Sequence, residues 1–295
     1  MLGNKLIDAR EHVRHQSQRL DDARGDQQAE GHRGGQPDEQ QPEHQPLAVA
    51  VLLQRALLQH LRVLGLLVDQ GRDDLVILDW LPWSHTFGAN HNFNLVLRNG
   101  GSLYIDGGKP APGLFATSLA NLKSVMPTVY FNVPRGFDML IGALHEDDAL
   151  RRRFFTEVKA VFYAGAALPQ NLWEALEQMS LQTIGRALPM VSAWGSTETA
   201  PLATDCHFQA QRSGNIGVPI PGTDLKLVPS GDKLEVRVRG PNVTPGYWKA
   251  PEQTKAAFDE DGFYLIGDAV TFADPARPEL GLFFDGRVAE DFKLT

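Results

Sequence analysis

A few short stretches hold the side chains that could do chemistry on a phosphate ester. The hexapeptide WGSTET at 194–199 places an indole (Trp194), a glycine that lets backbone approach a ligand (Gly195), two hydroxyls (Ser196, Thr197) and a carboxylate (Glu198) within one turn. That set suits a nucleotide. Trp194 could stack on a purine, Ser196 or Thr197 could hydrogen-bond a phosphate, and Glu198 could hold magnesium, which prefers hard oxygen ligands. The same run is also a good helix start, with Ser196 or Thr197 as the cap. WLPWSHTFG at 80–88 offers His85 among aromatic rings, as a pocket group or a structural histidine. AGAALP at 164–169 offers Gly165 and Ala166, small residues that either admit a ligand close to the backbone or permit tight packing. Asp268 offers a carboxylate for a diol, and Arg287 a guanidinium for an anionic or ribosyl oxygen. Each of these two also has an ordinary explanation as a surface turn.

Such residues need a scaffold that gathers them. Apolar runs at 75–78, 102–105, 128–133, 160–163 and 189–193 read as buried strands. Helical patterns separate them. At 169–179, Leu172, Leu176 and Met179 recur at helical spacing after Leu168, and Pro169 suits a first turn. Alternating strands and helices imply a mainly parallel sheet covered by helices on both faces. In such sheets ligands bind beyond the carboxyl ends of the strands, which is where the three motifs fall. From 214 the period changes: Leu234, Val236 and Val238 alternate with charged neighbours, and turn-rich spacers punctuate the chain. The expected fold is therefore α/β, followed by a smaller antiparallel β-barrel-like subdomain, with units at 75–213 and 214–295.

Residues 1–74 are unlike the rest: they contain no aromatic residue, no threonine and one serine, but eleven glutamines and five of the nine histidines. The tract at 36–46 is too polar to offset chain entropy and is expected to be disordered, while 47–68 suits a helix. His12, His15, His32 and His44 could ligate a metal, although compositional histidines ordinarily bind nothing in particular. The abrupt break in composition predicts an atypical segment translated out of frame or from a misplaced start. The apolar stretch at 47–68 carries Gln54, Arg55, Gln59, His60 and Arg62, which argues against a membrane span. No secretory signal is read near Met1. A formal charge of -8 disfavours a polyanionic partner such as nucleic acid. A single cysteine, Cys206, excludes an intrachain disulfide framework and fits a reducing, cytoplasmic setting.

Taken together, WLPWSHTFG, WGSTET, KLEVRVRGPNVTPGYW at 233–248, FYLIGD at 263–268 and GRVAEDFK at 286–293 resemble the ordered motifs of the acyl-adenylate-forming superfamily. That superfamily includes acyl-CoA synthetases, firefly luciferase and peptide-synthetase adenylation domains. The wording, with YFNVPRGFDML and FYAGAALP, is similar to feruloyl-CoA synthetases. The resemblance implies a ligase that uses ATP, Mg2+ and CoA: a ferulate-like aromatic acid attacks the α-phosphate to give acyl-AMP and pyrophosphate, and the CoA thiol then displaces AMP. It implies that Trp194 stacks on adenine beside Gly195, and that Thr197 and Glu198 serve catalysis by contacting phosphate and binding magnesium. Asp268 and Arg287 would hold the ribose, His85, Gly165 and Ala166 would border the acyl pocket, and Glu290 and Lys293 would belong to the hinge. Two departures matter. Residues 1–74 cannot supply the family's Ser/Thr/Gly-rich phosphate loop, and the C-terminal lysine domain is not seen before Thr295. A truncated, catalytically impaired ligase is the expectation, with a non-catalytic nucleotide- or acyl-binding fragment, or a synthetase for a benzoate or medium-chain acid, as alternatives.

Overall fold

The computed structural model describes residues 75–289 and the backbone of Leu6–Asp8. Apart from that strand, the expectations for 1–74 lie outside the described residues, as do Glu290 and Lys293.

The strands in chain order are β1 (Leu6–Asp8), β2 (Val76–Asp79), β3 (Ser102–Ile105), β4 (Val129–Asn132), β5 (Ala160–Tyr163), β6 (Met190–Trp194), β7 (Thr204–Cys206), β8 (Asn215–Pro219), β9 (Asp224–Ser230), β10 (Lys233–Arg239), β11 (Tyr264–Phe272) and β12 (Leu282–Arg287). A three-stranded sheet has the order β1-β3-β2, and a nine-stranded sheet the order β4-β5-β6-β7-β8-β12-β11-β10-β9. Strands β2 and β3 are parallel, as are β4, β5 and β6. Thr128 bridges the two sheets: Val76 O accepts its N–H at 2.9 Å and its Oγ1 accepts from Val76 N at 3.0 Å. From β6 onward every pairing is antiparallel, so the smaller β subdomain continues the parallel sheet edge to edge.

The apolar runs form strands because both of their faces are covered. Side chains alternate along a strand. Val129, Phe131, Ala160 and Phe162 therefore enter one core, with Phe87, Leu95 and Val96, while Tyr130, Val161 and Tyr163 enter the other. The first core is roofed by a π-helical turn, Phe87–Phe93, running into α1 (Asn94–Asn99). The second lies under α2 (Phe115–Ser124), α3 (Pro134–Glu146), α4 (Asp148–Glu157) and α5 (Gln170–Ile184).

Helix α3 shows the local logic. Pro134 opens it, where the missing N–H costs nothing, and Phe137, Leu140, Ile141 and Leu144 recur on one face and are buried. Truncating such a side chain to alanine costs ~2–5 kcal/mol. Asp147 then caps α4 by accepting from Leu150 N at 2.9 Å. The helix expected at 169–179 begins one residue later and runs to Ile184, where Gly185 at φ 72° stops it. Pro169 stands just outside it, its carbonyl accepting from Leu172 and Trp173. A third core, of Trp194, Ala203, Ile216, Val236, Val238, Tyr264, Ile266, Val270 and Leu282, belongs to the antiparallel part.

Candidate functional site

Strand β6 ends on Trp194, one residue beyond the expected 189–193, so the indole belongs to the sheet and the turn begins at Gly195. Ala203 N returns to Trp194 O at 2.9 Å and closes the excursion. Within it, Thr197–Thr199 form a single 3-10 turn, with Ser196 N donating to Thr199 Oγ1 at 2.8 Å. The helix-start reading is thus met for one turn only. Glycine is required at 195 by the fold of this turn, because a Cβ there would overlap the Pro201 carbonyl and Thr199 Oγ1. Gly195 and Thr197 are exposed. Asn242, 2% exposed, pins the turn to the β subdomain: its Nδ2 donates to Leu202 O at 2.6 Å and its Oδ1 accepts from Thr223 Oγ1 at 2.9 Å.

Two hydrogen-bonded chains run from this turn to β11. In the first, Trp194 Nε1 donates to Asp268 Oδ2 at 2.9 Å, and Arg287 Nη1 sits 3.0 Å from Asp268 Oδ1 while donating to Ile266 O at 2.8 Å. Asp268 pairs with Arg287 across β11 and β12, but Val270 pairs with Phe284. The step is two residues on β11 and three on β12, so β12 carries a one-residue bulge, and Gly286 supplies the left-handed backbone (φ 78°). In the second chain, Tyr247 OH donates to Glu198 Oε1 at 3.0 Å and lies 3.3 Å from the hydroxyl of Tyr264, the first residue of β11. Thr244 N also donates to Glu198 O at 2.8 Å. Burial pushes the Glu198 carboxyl up, but its own backbone N–H and the hydroxyls of Ser196, Tyr247 and Tyr264 outweigh it and hold it below the usual carboxylate range.

Trp194 is 9% exposed and packs in the third core; its edge is committed to Asp268. Asp268 spends two of its roughly four lone-pair positions on Trp194 and Arg287, which leaves acceptor capacity for a diol. Glu198 is a half-buried carboxylate held in its charged form, the donor type that suits magnesium held chiefly by phosphate oxygens. Among the described residues no group of three His, Cys, Asp or Glu side chains is placed to hold a metal by itself.

The other sequence-derived residues line the same edge of the sheet. Gly165 and Ala166 are exposed just beyond β5, where Gly165 adopts φ 85° and a Cβ would meet only Val133 Cγ1 at 3.8 Å. Gly165 is therefore there for its backbone conformation, not for tight packing. His85 is exposed, its Nδ1 accepting from Phe87 N at 3.1 Å. The buried histidine of this region is His91, packed against Phe87, Phe131 and Phe162 and hydrogen-bonded through Nδ1 to Asn92 Oδ1 at 2.8 Å. Asn92 Nδ2 donates to Asp79 Oδ2 at 3.0 Å, and Trp80 Nε1 donates to Asn132 Oδ1 at 3.1 Å. Tyr247, Tyr264 and Asn242 lay inside recognised motifs without being singled out; Asp79 and Asn132 are polar positions at the ends of apolar runs, the one sign that could have found them, while His91 and Asn92 sit in a polar run that carries no such sign. A cavity of about 240 Å³, lined by Trp173, Leu188, Met190 and Phe208, lies at the opposite end of β6 from Trp194.

Residues 48–248 match the AMP-binding enzyme family. A long-chain-fatty-acid–CoA ligase of Yersinia pestis is 28% identical over 70% of this chain and 35% of its own length. A feruloyl-CoA synthase of an Amycolatopsis species is 32% identical over 49% of this chain and 29% of its own. The structure of a malonyl-CoA ligase, a ternary product complex with methylmalonyl-CoA and AMP bound, superposes with a TM-score of 0.62 at 28% identity, covering 80% of this chain and 49% of that one. The chain thus spans about a third of the length of curated relatives it matches. No helix among the described residues is long and apolar enough to cross a membrane.

Proposed function

Because the chain belongs to the AMP-binding enzyme family, we propose that it supplies the adenosine and acyl walls of a ligase that activates an aromatic carboxylic acid as acyl-AMP for thioester formation with CoA. The single observation that carries this reading is the convergence of Glu198 and Asp268, 70 residues apart in sequence, on β11 through Tyr247 and Trp194. In this reading Asp268 accepts from the ribose hydroxyls, and Arg287 holds its carboxylate in place. Glu198 is the protein's ligand to a nucleotide-bound magnesium, which when present neutralises phosphate charge. The exposed Thr197 hydroxyl contacts phosphate. Trp194 acts as an anchor for Asp268, and any purine contact is with the part of the ring left open at 9% exposure.

The aromatic acid is favoured over a dicarboxylate by the acyl side. Gly165, Ala166 and the 80–88 loop follow β5 and β2 beside the aromatic core of Phe87, Phe131 and Phe162, apolar surroundings that suit a ring better than a second carboxylate. The likeness to a feruloyl-CoA synthase supports the same choice, whereas a fatty-acid ligase among the relatives keeps a medium-chain acid in competition. A reducing, cytoplasmic setting agrees with one buried cysteine. The test is acid-dependent exchange of labelled pyrophosphate into ATP, run with ferulate, benzoate, malonate and octanoate. Exchange led by ferulate is expected of the complete ligase; exchange led by malonate would overturn the assignment. A second reading is a nucleotide-binding fragment without turnover, and ATP binding by calorimetry with no exchange for any acid would select it.

A further inference from the structure

We propose that Asn132 is a positioning residue for acid recognition: it pins the indole of Trp80 at the carboxyl end of β2, where the ring, with Val133 and Gly165, makes a wall selective for a planar aromatic acyl group. The wall rests on the aromatic-acid reading above and assigns the side chain that selects the ring. Asn132, the last residue of β4, is 1% exposed. Its Oδ1 accepts from Trp80 Nε1 at 3.1 Å and from Val133 N at 2.9 Å, and its Nδ2 donates to Tyr130 OH at 2.7 Å. An indole N–H and a backbone N–H can only donate. The amide oxygen must therefore face Trp80 and Val133, an orientation set by chemistry and not by the choice of atom names.

The fold is shaped around this amide. Gly136 stands in the first turn of α3, although glycine is a poor helix former, and a Cβ there would come within 2.0–2.4 Å of the Asn132 side-chain atoms. Strand β4, helix α3 and the loop after β2 thus meet on one buried side chain. Strand β2 lies beside β4 through the Thr128 contacts, and β5 is the parallel neighbour of β4 on its other side. Trp80, Val133 and Gly165 follow the carboxyl ends of these three strands, the end at which open sheets take ligands. Gly165 is exposed, and a Cβ there would meet only Val133 Cγ1 within 4 Å, so the space beside Val133 is open. The Trp80 ring is half-buried and packs on the core of Phe87, Phe131 and Phe162. Its N–H is committed to Asn132, so the exposed part of the ring offers a ligand π-surface and no donor. A flat ring gains from offset or edge-on contact with such a surface, whereas an alkyl chain gains only buried area.

The indole N–H is read from proton–nitrogen spectra, with the Trp80 signal assigned by its loss in Trp80→Phe. Slow exchange with water is expected, with faster exchange and a moved signal in Asn132→Leu. Fast exchange in the unsubstituted chain overturns the positioning, as does a folded Asn132→Leu variant with an unchanged signal; should that variant not fold, exchange in the unsubstituted chain decides. Calorimetric titrations with ferulate and octanoate supply the functional arm. Ferulate should move the Trp80 signal, and in Trp80→Leu the ferulate-to-octanoate affinity ratio should fall roughly 5-fold. An unchanged ratio, or a ferulate complex that leaves the Trp80 signal in place, overturns the wall while the proposed function stands. If no acid binds the unsubstituted chain, the proposed function fails and the wall with it.

Discussion

Removing the Asp268 carboxylate is the sharpest probe of the site. In Asp268→Ala, two partners lose their acceptor, and they differ in surroundings. The Trp194 indole is 9% exposed in a packed core, so its N–H has little access to replacement water. The Arg287 side chain is 53% exposed and keeps its bond to Ile266 O. A buried hydrogen bond to a charged group is worth ~1.5–3 kcal/mol, whereas an ion pair with one exposed partner gives about 0–1 kcal/mol. Asp268→Ala should therefore destabilise by ~2–3 kcal/mol, Arg287→Ala by under ~1 kcal/mol. Urea denaturation measures both, and for a domain of this size the first corresponds to a drop in Tm of roughly 4–12 °C. A double-mutant cycle with Trp194→Phe should return a coupling of ~1.5–2 kcal/mol with Asp268, since the phenyl ring keeps most of the packing but has no donor. If Arg287→Ala costs more than Asp268→Ala, or the cycle shows no coupling, the indole is not what holds the carboxylate, and the picture of one site built across β6, β11 and β12 is wrong.

Three further outcomes follow from the same geometry. Tyr247→Phe removes a donor from Glu198, so the carboxyl should titrate at higher pH in a carbon-detected titration; because its folded pKa is depressed, the stability it contributes is present at neutral pH and fades as pH falls, and the variant should lose part of it only above the carboxylate range. A carboxyl titration identical to that of the unsubstituted chain would count against the contact. Asp79 has the opposite sign: burial raises its folded pKa to about 6, above the ordinary carboxylate value of 3.8, so its stabilisation is complete at low pH and is lost as pH rises through about 6. Relative to Asp79→Asn, the unsubstituted chain should lose about 1–1.5 kcal/mol between about pH 5 and pH 7.5 in urea titrations, and a pH-independent difference would refute the burial argument. Finally, Gly195→Ala should cost more than Gly165→Ala, since the first forces backbone apart at Pro201, by ~2–3 kcal/mol, and the second meets open space at φ 85°, for ~1–2 kcal/mol; equal melting temperatures for the two variants would contradict this.

Much of the scaffold was legible because buried strands announce themselves by unbroken apolar runs. The expected strands at 102–105 and 160–163 coincide with β3 and β5, and 189–193 missed β6 by one residue. That single residue matters, since it moves Trp194 from a turn, where a ring is free to stack, into a sheet, where its edge is committed to Asp268. The change from parallel to antiparallel pairing was visible in the alternation at 233–239, but the continuity of the two parts through β7 was not, because three residues of mixed polarity carry little periodic signal. Histidine at 85 drew notice through its motif, while His91 is the buried one. Its burial depends on the wide π-helical turn of 87–93, and neither 3.6-residue nor two-residue spacing betrays such a turn. Tyr247 and Tyr264 reach Glu198 only in three dimensions, from positions 49 and 66 residues further along the chain.

The extra residue in β12 has a consequence for how this ladder tolerates change. Deleting Gly286 would let the two strands align without interruption, and by backbone criteria alone the sheet would be improved. Yet a bulge bends and twists its strand, and this one aims the guanidinium so that Nη1 lies against Asp268 Oδ1 and reaches Ile266 O; the uninterrupted ladder would keep Arg287 opposite Asp268 on the same face, but without that aim. A shortened chain of that kind should fold at least as readily, so the irregularity sets the direction of one guanidinium and not the pairing of the strands.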